Sequence, residues 1–217
     1  MVALFDQGPP PPCPAPFNLA HYVLAAGQEV PHKIALSVIG GAETEDWSNA
    51  QLRAAVLGTA TGLLQAGARP GDRILMRLGN TSAFPMTYLA GIAAGLIAVP
   101  TSAQLTSREV TSIAEEIAPS LIVAEPGVAL PEGSDVPVIG PEELQRMRGL
   151  PPATFEMGDP NRPAYIIYTS GTSGVPRAVT HAHRAIWARR MMWDGWYGMT
   201  ARWMRRVRCV IWGVPMT

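Results

Sequence analysis

The 217-residue sequence has few charged residues, a single lysine (Lys33) and only two cysteines. Its 17 basic residues are balanced by 17 acidic ones, so the formal net charge is zero. Proteins that bind nucleic acid usually carry a clear basic excess, and no nucleic-acid partner is therefore predicted. Cys13 and Cys209 stand near opposite ends of the sequence and belong to no metal-ligand cluster. This cysteine usage predicts neither a disulfide framework nor a protein metal site, and it favours a reducing cytoplasm.

A secretory signal is also missing, and only one stretch raises the question of a membrane. Residues 1–6 show no basic region followed by an apolar run. Residues 1–16 contain six prolines between positions 9 and 16, and they are predicted to form a disordered or extended leader. Residues 83–100 are mostly apolar, but a membrane-spanning helix needs roughly 20 such residues. A buried helix followed by a buried parallel strand explains this stretch better, and membrane association is kept as the alternative.

Apolar residues make up 47% of the sequence, which is enough to form a globular core. Strand-like and helix-like segments alternate along it, and this order predicts an α/β fold with a parallel sheet. We assign residues 17–160 to an N-terminal α/β subdomain and residues 149–163 to a linker at its end. The predicted helices cover residues 19–28, 48–66, 106–118 and 141–147. The predicted strands cover residues 33–39, 43–47, 73–78, 96–99, 121–124, 136–139 and 164–168.

The segment that carries chemistry is a polar loop directly after the apolar strand 164–168. Glycines in this loop let backbone amides approach a ligand closely, and its serines and threonines add hydroxyl donors. Such a loop can wrap a polyphosphate, and Arg177 adds a forked cation that suits phosphate oxygens. A polar surface loop between two strands is the plain alternative, and the Walker pattern of P-loop enzymes is absent. The loop residues are Thr169, Ser170, Gly171, Thr172, Ser173 and Gly174.

The run from Tyr168 to Arg177 closely resembles the signature loop of the adenylate-forming (AMP-binding) superfamily. That superfamily includes acyl- and aryl-CoA synthetases, luciferases and peptide-synthetase adenylation domains, and its pattern reads Tyr-Thr-Ser-Gly-(Ser/Thr)-(Thr/Ser)-Gly-x-Pro-Lys-Gly. Weaker matches at residues 44–52, 89–100 and 179–185 extend the resemblance over about residues 17–200. The resemblance implies the N-terminal α/β subdomain of such an enzyme, followed by the start of a second α/β subdomain. That start covers residues 161–200 and comprises the phosphate-binding loop and the helix after it.

The function that the resemblance implies is that of an ATP-dependent acid–CoA ligase. A carboxylate attacks ATP to give an acyl-adenylate, coenzyme A then displaces AMP, and Mg²⁺ neutralises the phosphates. Residues 169–174 would hold the β- and γ-phosphates. Arg177 replaces the family's lysine and Ala178 its glycine, which changes the phosphate contact. His183 matches a histidine that many members place near the acyl carboxylate, and its non-catalytic alternative is a helix N-terminal residue.

The family's adenine pocket, metal ligands and mobile C-terminal domain come later in its chains than residue 217. We therefore expect a truncated ligase that is not competent alone, unless a second chain supplies the C-terminal part. A non-catalytic remnant is the alternative, as is a membrane-associated protein that uses residues 83–100 or the basic tail. Truncation is also expected to leave strand 164–168 without neighbouring strands and prone to association.

Residues 201–217 form an unusual tail in which acidic residues are absent. Family likeness is expected to stop near Thr200, and an out-of-frame reading of the gene is the preferred explanation. The rival interpretation is a basic amphipathic helix at a membrane surface or partner groove. It rests on apolar residues that recur every four positions, with arginines between them. These residues are Met199, Trp203, Val207 and Ile211, and the arginines are Arg202, Arg205, Arg206 and Arg208.

Overall fold

The computed structural model describes residues 12–40, 43–170, 176–187 and 209–212. Within these ranges, helices and strands alternate as the sequence predicts, and most predicted segments are confirmed to within a few residues. The helices are α1 (Leu19–Ala25), α2 (Asn49–Gln65), α3 (Ala83–Ala93), α4 (Ser107–Ile117) and α5 (Pro141–Arg148). The strands are β1 (Ile34–Gly40), β2 (Glu43–Ser48), β3 (Arg73–Arg77), β4 (Ile97–Pro100), β5 (Leu121–Ala124), β6 (Val138–Ile139), β7 (Pro163–Ser170), β8 (Pro176–Ala182) and β9 (Cys209–Trp212).

The larger sheet has the strand order β6-β5-β3-β4-β7-β8. All of its neighbouring strands run parallel except β7 and β8, which pair antiparallel. The predicted α/β fold with a parallel sheet is thus confirmed. In the smaller sheet β1 and β2 form the predicted antiparallel hairpin, and β9 lies parallel to β1 on its other side.

Helices cover both faces of the larger sheet. The strand residues Ile74 and Met76 belong to a core that also contains residues of α2, α3 and α5. The intervening residue Leu75 points the other way, into a second core formed with Val110 and neighbouring residues of α4. Strands buried on both faces read as continuous apolar runs, which is why these segments show no clean alternation.

The apolar stretch 83–100 is a buried helix followed by a buried strand, as predicted. Helix α3 spans 11 residues, and Ala90 and Ile92 within it are fully buried. Strand β4 follows and lies between β3 and β7 in the sheet. Among the described residues, the structure has no helix with the length and apolar character needed to cross a bilayer.

Two helices begin with the reciprocal hydrogen bonds of a capping box. At α2, the predicted box is confirmed: Ser48 Oγ accepts from the Gln51 amide at 3.3 Å, and Gln51 Oε1 accepts from the Ser48 amide at 2.9 Å. Thr106 and Glu109 make the same pair of contacts at the start of α4. Helix α2 stops before Gly67, whose φ of 102° is accessible to glycine at little cost.

Residues 149–163, predicted as a linker, form a strap that is fastened to the core along its length. The strap has no helix before β7 begins, but its amides at Ala153 and Glu156 donate to Leu57 O at 3.1 Å and Ala93 O at 2.8 Å. Gly158 forms an antiparallel bridge with Phe17. These contacts are backbone hydrogen bonds with no local periodicity, so the proline-rich composition alone suggested a free connection.

Strand β7 belongs to the same sheet as the strands before it. Our expectation that residues 164–168 would lack neighbouring strands is wrong, because β7 pairs with β4 through Ala98 and Tyr165 and with β8 on its other side. The open edge of β4 accepts β7, and β8 comes from the chain that follows directly. The predicted boundary near residue 160 therefore falls between the strap and a strand of the N-terminal sheet.

Candidate functional site

The described residues on either side of the predicted phosphate loop lie at the carboxyl edge of the parallel strands. Strand β7 runs parallel to β4, so its last residues reach the edge at which open α/β sheets bind ligands. Register pairs Thr169↔Arg177 and Ser170↔Pro176 close the connection between β7 and β8. Residues 171–175 make this connection and lie outside the described residues, and they include the predicted site residues Gly171, Thr172, Ser173 and Gly174.

Thr169 and Arg177 stand together at the mouth of the loop. They are opposite one another in the β7–β8 register, so their side chains leave the sheet on the same face. Both residues are exposed, and Thr169 Oγ1 donates to the Arg177 carbonyl oxygen at 3.4 Å. A hydroxyl and a guanidinium on one face can contact the same anionic group, and hydrogen bonds to a charged partner are the strong ones. The structure thus brings together two of the predicted site residues.

The end of β7 is attached to α4 through Tyr168, the first residue of the signature loop. Its phenol donates to Glu116 Oε2 at 2.8 Å, and its ring packs against the core beneath α4. Burial and the hydrogen bond to Glu116 raise the pKa of Tyr168 well above its usual range, so the phenol stays protonated and donates. Glu116 was missed from the sequence because a polar residue on an amphipathic helix carries no sign of a distant partner.

His183 follows β8 and contacts the first turn of α1. Its side chain is fully buried, and Nδ1 accepts a hydrogen bond from the Leu19 amide at 3.0 Å. Its own amide donates to Arg162 O at 3.1 Å. Burial, followed by the nearby Arg162 guanidinium, lowers the pKa of His183 to about 4. The imidazole is therefore neutral at physiological pH.

Asn18 joins three parts of the chain beside this contact. Its Oδ1 accepts from the Ala20 and His21 amides at 2.9 and 3.2 Å, which caps α1 as predicted. Its Nδ2 donates to Ile92 O and Glu156 O, both at 2.8 Å. The helix-capping role of Asn18 could be predicted from the sequence. Its two donated hydrogen bonds could not, because the accepting carbonyls lie far along the chain.

A buried arginine orders the loop that follows β4, next to β7. Arg77 is fully buried at the end of β3, and its guanidinium donates to Thr101 Oγ1 and to four backbone carbonyls. Those carbonyls belong to Ser102, Ala103, Leu105 and Ala129. Burial lowers the pKa of Arg77, and Glu109 counteracts part of this effect. Carbonyl dipoles, not a carboxylate, satisfy this cation, and no sequence pattern predicts that arrangement.

No group of three or more His, Cys, Asp or Glu residues is placed to hold a metal ion in the part of the chain that the structure describes. The donors of the predicted phosphate site that the structure describes are the hydroxyl of Thr169 and the guanidinium of Arg177. Such donors suit phosphate oxygens directly.

Comparison with known proteins places these features in a family. The model of the family described as AMP-binding enzyme matches residues 24–216. Phenyloxazoline synthase MbtB from Mycobacterium sp. (strain MCS) is 34% identical over 155 residues, which are 70% of this chain and 13% of that protein. The long-chain-fatty-acid–CoA ligase FadD13 from Mycobacterium tuberculosis (strain ATCC 25618 / H37Rv) is 28% identical over 158 residues, which are 66% of this chain and 31% of the ligase.

Solved structures show the same fold. The crystal structure of VinN superimposes with a TM-score of 0.75 at 21% identity, over 89% of this chain and 56% of that one. ATP-bound MatB from Rhodopseudomonas palustris gives a TM-score of 0.71 at 22% identity, over 84% of this chain and 38% of that one. The chain thus spans 56% and 38% of the two solved structures and less than a third of the curated relatives cited here.

The match also corrects our interpretation of the tail. Family likeness was expected to end near Thr200, but the matched range continues to residue 216, and Cys209–Trp212 forms β9 beside β1. The matched range does not test whether residues 201–217 are read out of frame, and that interpretation stays a prediction. Of the residues cited for a basic amphipathic helix, Ile211 lies in a strand, while Met199, Trp203 and Val207 fall outside the described residues. With its matching range, signature loop and fold, the chain belongs to the AMP-binding enzyme family.

Proposed function

We propose that this chain provides the phosphate-binding part of an ATP-dependent acid–CoA ligase. In this reaction a carboxylate oxygen attacks the α-phosphorus of ATP, pyrophosphate leaves, and the thiol of coenzyme A then displaces AMP from the acyl-adenylate. The observation that carries the proposal is the position of Thr169 and Arg177 at the carboxyl edge of the sheet, on either side of a Gly-, Ser- and Thr-rich sequence. The acyl-CoA ligase among the relatives supports the reaction class.

The loop would act on the phosphates that become pyrophosphate. Amides of Gly171 and Gly174 and hydroxyls of Thr169, Ser170, Thr172 and Ser173 would surround the β- and γ-phosphate oxygens. Arg177 would add two parallel N–H donors and a positive charge. Donors fixed in place before the reaction stabilise the negative charge that the leaving pyrophosphate gains. Because a guanidinium is planar and broader than the family's lysine, we expect a two-point contact where an ammonium would make one.

The remaining partners are proposals of the same kind. We assign Mg²⁺ to the bound ATP, since Mg²⁺ commonly keeps its waters and binds through substrate phosphates and one or two carboxylates. The described residues offer no such carboxylate cluster, so no step proposed here uses a protein-bound metal. Coenzyme A would be the thiol acceptor, a carboxylic acid of undefined structure the acyl donor, and the cytoplasm the compartment. A complementing C-terminal chain would supply the adenine and acid contacts.

We further propose that this chain alone does not form acyl-adenylate at a measurable rate. The matched residues correspond to 31% of the acyl-CoA ligase among the relatives, and a phosphate loop by itself lacks the positioning that supplies much of enzymatic rate acceleration. A non-catalytic remnant that retains phosphate binding is consistent with the same residues. Exchange of radiolabelled pyrophosphate into ATP, measured with a panel of acids, distinguishes an inactive fragment or a non-catalytic remnant from an active enzyme. Steady exchange that depends on Arg177 would refute our proposal that the chain alone forms no acyl-adenylate.

A second candidate function is adenylation for peptide assembly. The hybrid PKS-NRPS synthetase gkaA from Penicillium citrinum supports it, and is 28% identical over 184 residues, which are 82% of this chain and 4% of that protein. Solved VinN structures contain L-aspartate and 3-methylaspartate, which are amino acids that also carry carboxylates. The two candidates share the adenylate-forming step and differ in the acid and in the thiol that receives it.

The shared step can be tested on the full chain by nucleotide binding. A fluorescent ATP analogue with Mg²⁺ should bind and should be displaced by unlabelled ATP and by inorganic pyrophosphate. Displacement by pyrophosphate but not by AMP would assign the binding energy to the β- and γ-phosphates. Binding that AMP displaces and pyrophosphate does not would contradict the role proposed for the loop.

A further inference from the structure

The connection between His183 and α1 links residues 164 positions apart in the sequence. Three consecutive amides open α1, and all three have side-chain acceptors. The Leu19 amide donates to His183 Nδ1 at 3.0 Å, while the Ala20 and His21 amides donate to Asn18 Oδ1. The first four amides of a helix have no partner within the helix, so these acceptors replace solvent in a buried setting. His183 thus completes a cap that Asn18 begins.

The contact determines which nitrogen of His183 carries the proton. An imidazole nitrogen that accepts a hydrogen bond must have its lone pair free, so Nδ1 is unprotonated and the proton is on Nε2. Protonation of Nδ1 would place an N–H against the Leu19 N–H in a fully buried site. The lone pair that a general base needs is therefore occupied by a backbone amide.

Neighbouring groups reinforce the neutral form. Arg162 lies beside the imidazole, and its guanidinium is held by three backbone carbonyls, those of Phe17 at 2.8 Å, Glu156 at 2.6 Å and Asp159 at 2.9 Å. A cation fixed at this place disfavours a second positive charge on His183, as burial also does. The Arg162 carbonyl meanwhile accepts from the His183 amide at 3.1 Å. The side chain of His183 is therefore attached to the start of α1, and its backbone is attached to the residue that precedes β7.

This attachment lies at the base of the phosphate-loop hairpin. His183 directly follows β8, the strand that returns from the loop, and Tyr168 fixes the outgoing strand β7 to Glu116. We propose that His183 is a positioning residue: its neutral imidazole caps α1 and anchors β8. The effect on nucleotide binding rests on the function proposed above, whereas the tautomer and the anchor do not.

Two substitutions distinguish the loss of the hydrogen-bond acceptor at position 183 from the loss of the imidazole ring. In His183→Asn the amide oxygen is attached to Cγ, as Nδ1 is, so it can accept from the Leu19 amide. In His183→Ala no acceptor remains. We expect the hydrogen-exchange protection of the Leu19 amide to fall about twofold to tenfold in the alanine variant, the range that the loss of one hydrogen bond represents. Asparagine should restore most of it, and affinity for a fluorescent ATP analogue should follow the same order.

The wild-type chain supplies an independent measurement. Long-range ¹H–¹⁵N spectra of labelled histidine should show the Nε2–H tautomer of His183, unchanged between about pH 5.5 and pH 8. A protonated Nδ1, a titration near the ordinary histidine pKa, or loss of Leu19 protection in the asparagine variant equal to that in alanine would each overturn the anchor. If the expected tautomer and protection are found while the full chain binds no nucleotide, the proposed function fails and the anchor stands.

Discussion

Substitution of Asn18 tests how the start of α1, the end of α3 and the 149–163 strap are held together. Asn18→Ser keeps a short side-chain oxygen, which can still cap α1. It removes the amide that donates to Ile92 O and Glu156 O at 2.8 Å. Asn18→Ala removes both the oxygen and the donor. Comparison of the two variants therefore measures the capping contribution separately from the contribution of the two buried donations.

The expected loss of stability depends on which hydrogen bonds the carbonyls of Ile92 and Glu156 retain in the variants. Ile92 O also accepts from the Gly95 amide at 3.1 Å, and Glu156 O accepts from Arg162 Nη2 at 2.6 Å. Neither carbonyl is left without a partner, so each lost donation should cost about 0.5–1.5 kcal/mol and not the larger penalty of an unsatisfied group. We expect Asn18→Ser to lower the free energy of unfolding by about 1–3 kcal/mol. Asn18→Ala should lower it by a further ~1 kcal/mol through loss of the cap.

Urea unfolding followed by tryptophan fluorescence and circular dichroism measures both variants, provided that the denaturant dependence m is unchanged. A serine variant as stable as the wild type would mean that the two donations contribute nothing. Equal stability of the serine and alanine variants would instead show that the Asn18 oxygen does not cap α1. The first result would refute a stabilising role for the Asn18 amide donations, and the second would refute the capping role of the Asn18 oxygen.

Three further predictions concern stability. The pKa of His183 is about 4 in the folded state and about 6.5 in the unfolded state, so the unfolded state binds more protons between these pH values. The free energy of unfolding should therefore fall by about 3 kcal/mol as the pH drops through this range. Urea titrations at several pH values should show a smaller fall for His183→Asn. Arg77→Met removes the donors that hold Thr101 and four carbonyls, so the free energy of unfolding should fall by about 3 kcal/mol or more. The amide hydrogen-exchange rates should rise first at residues 101–105. A Cβ on Gly58 would lie 2.7 Å from Arg148 O, so Gly58→Ala should lower the melting temperature despite the higher helix propensity of alanine. An unchanged melting temperature in this variant would mean that α5 can move away from α2.

Local patterns predicted much of the fold because their causes are local. The capping box of Ser48 and Gln51 depends on neighbours in sequence, and the strand after residue 95 is set by a short apolar run between turn residues. The hairpin of β1 and β2 follows from alternating residues on either side of a glycine pair. In each case the residues that determine the structure lie within one segment of the chain.

The features that sequence reasoning missed depend on partners far apart. Nothing near His183 indicates that its acceptor is the amide of Leu19, and nothing near Tyr168 points to Glu116. Composition also misled us at one place, because the prolines before β7 suggested a free linker. Backbone hydrogen bonds from this strap to α2 and α3 fasten it to the core.

The central claim, that the loop between β7 and β8 binds the phosphates of ATP, is tested most directly by the affinity of the full chain for Mg·ATP in Arg177 variants. Arg69 is an exposed arginine in the turn before β3, at the opposite end of the strands, and Arg69→Ala is the matched control. Hydrogen bonds from a charged group contribute about 1.5–3 kcal/mol, so Arg177→Ala should weaken binding by about 10-fold to 100-fold, and Arg177→Lys by less. Arg69→Ala should bind as the wild type does. Equal affinity in the wild type and Arg177→Ala, or an equal loss in Arg69→Ala, would contradict the claim.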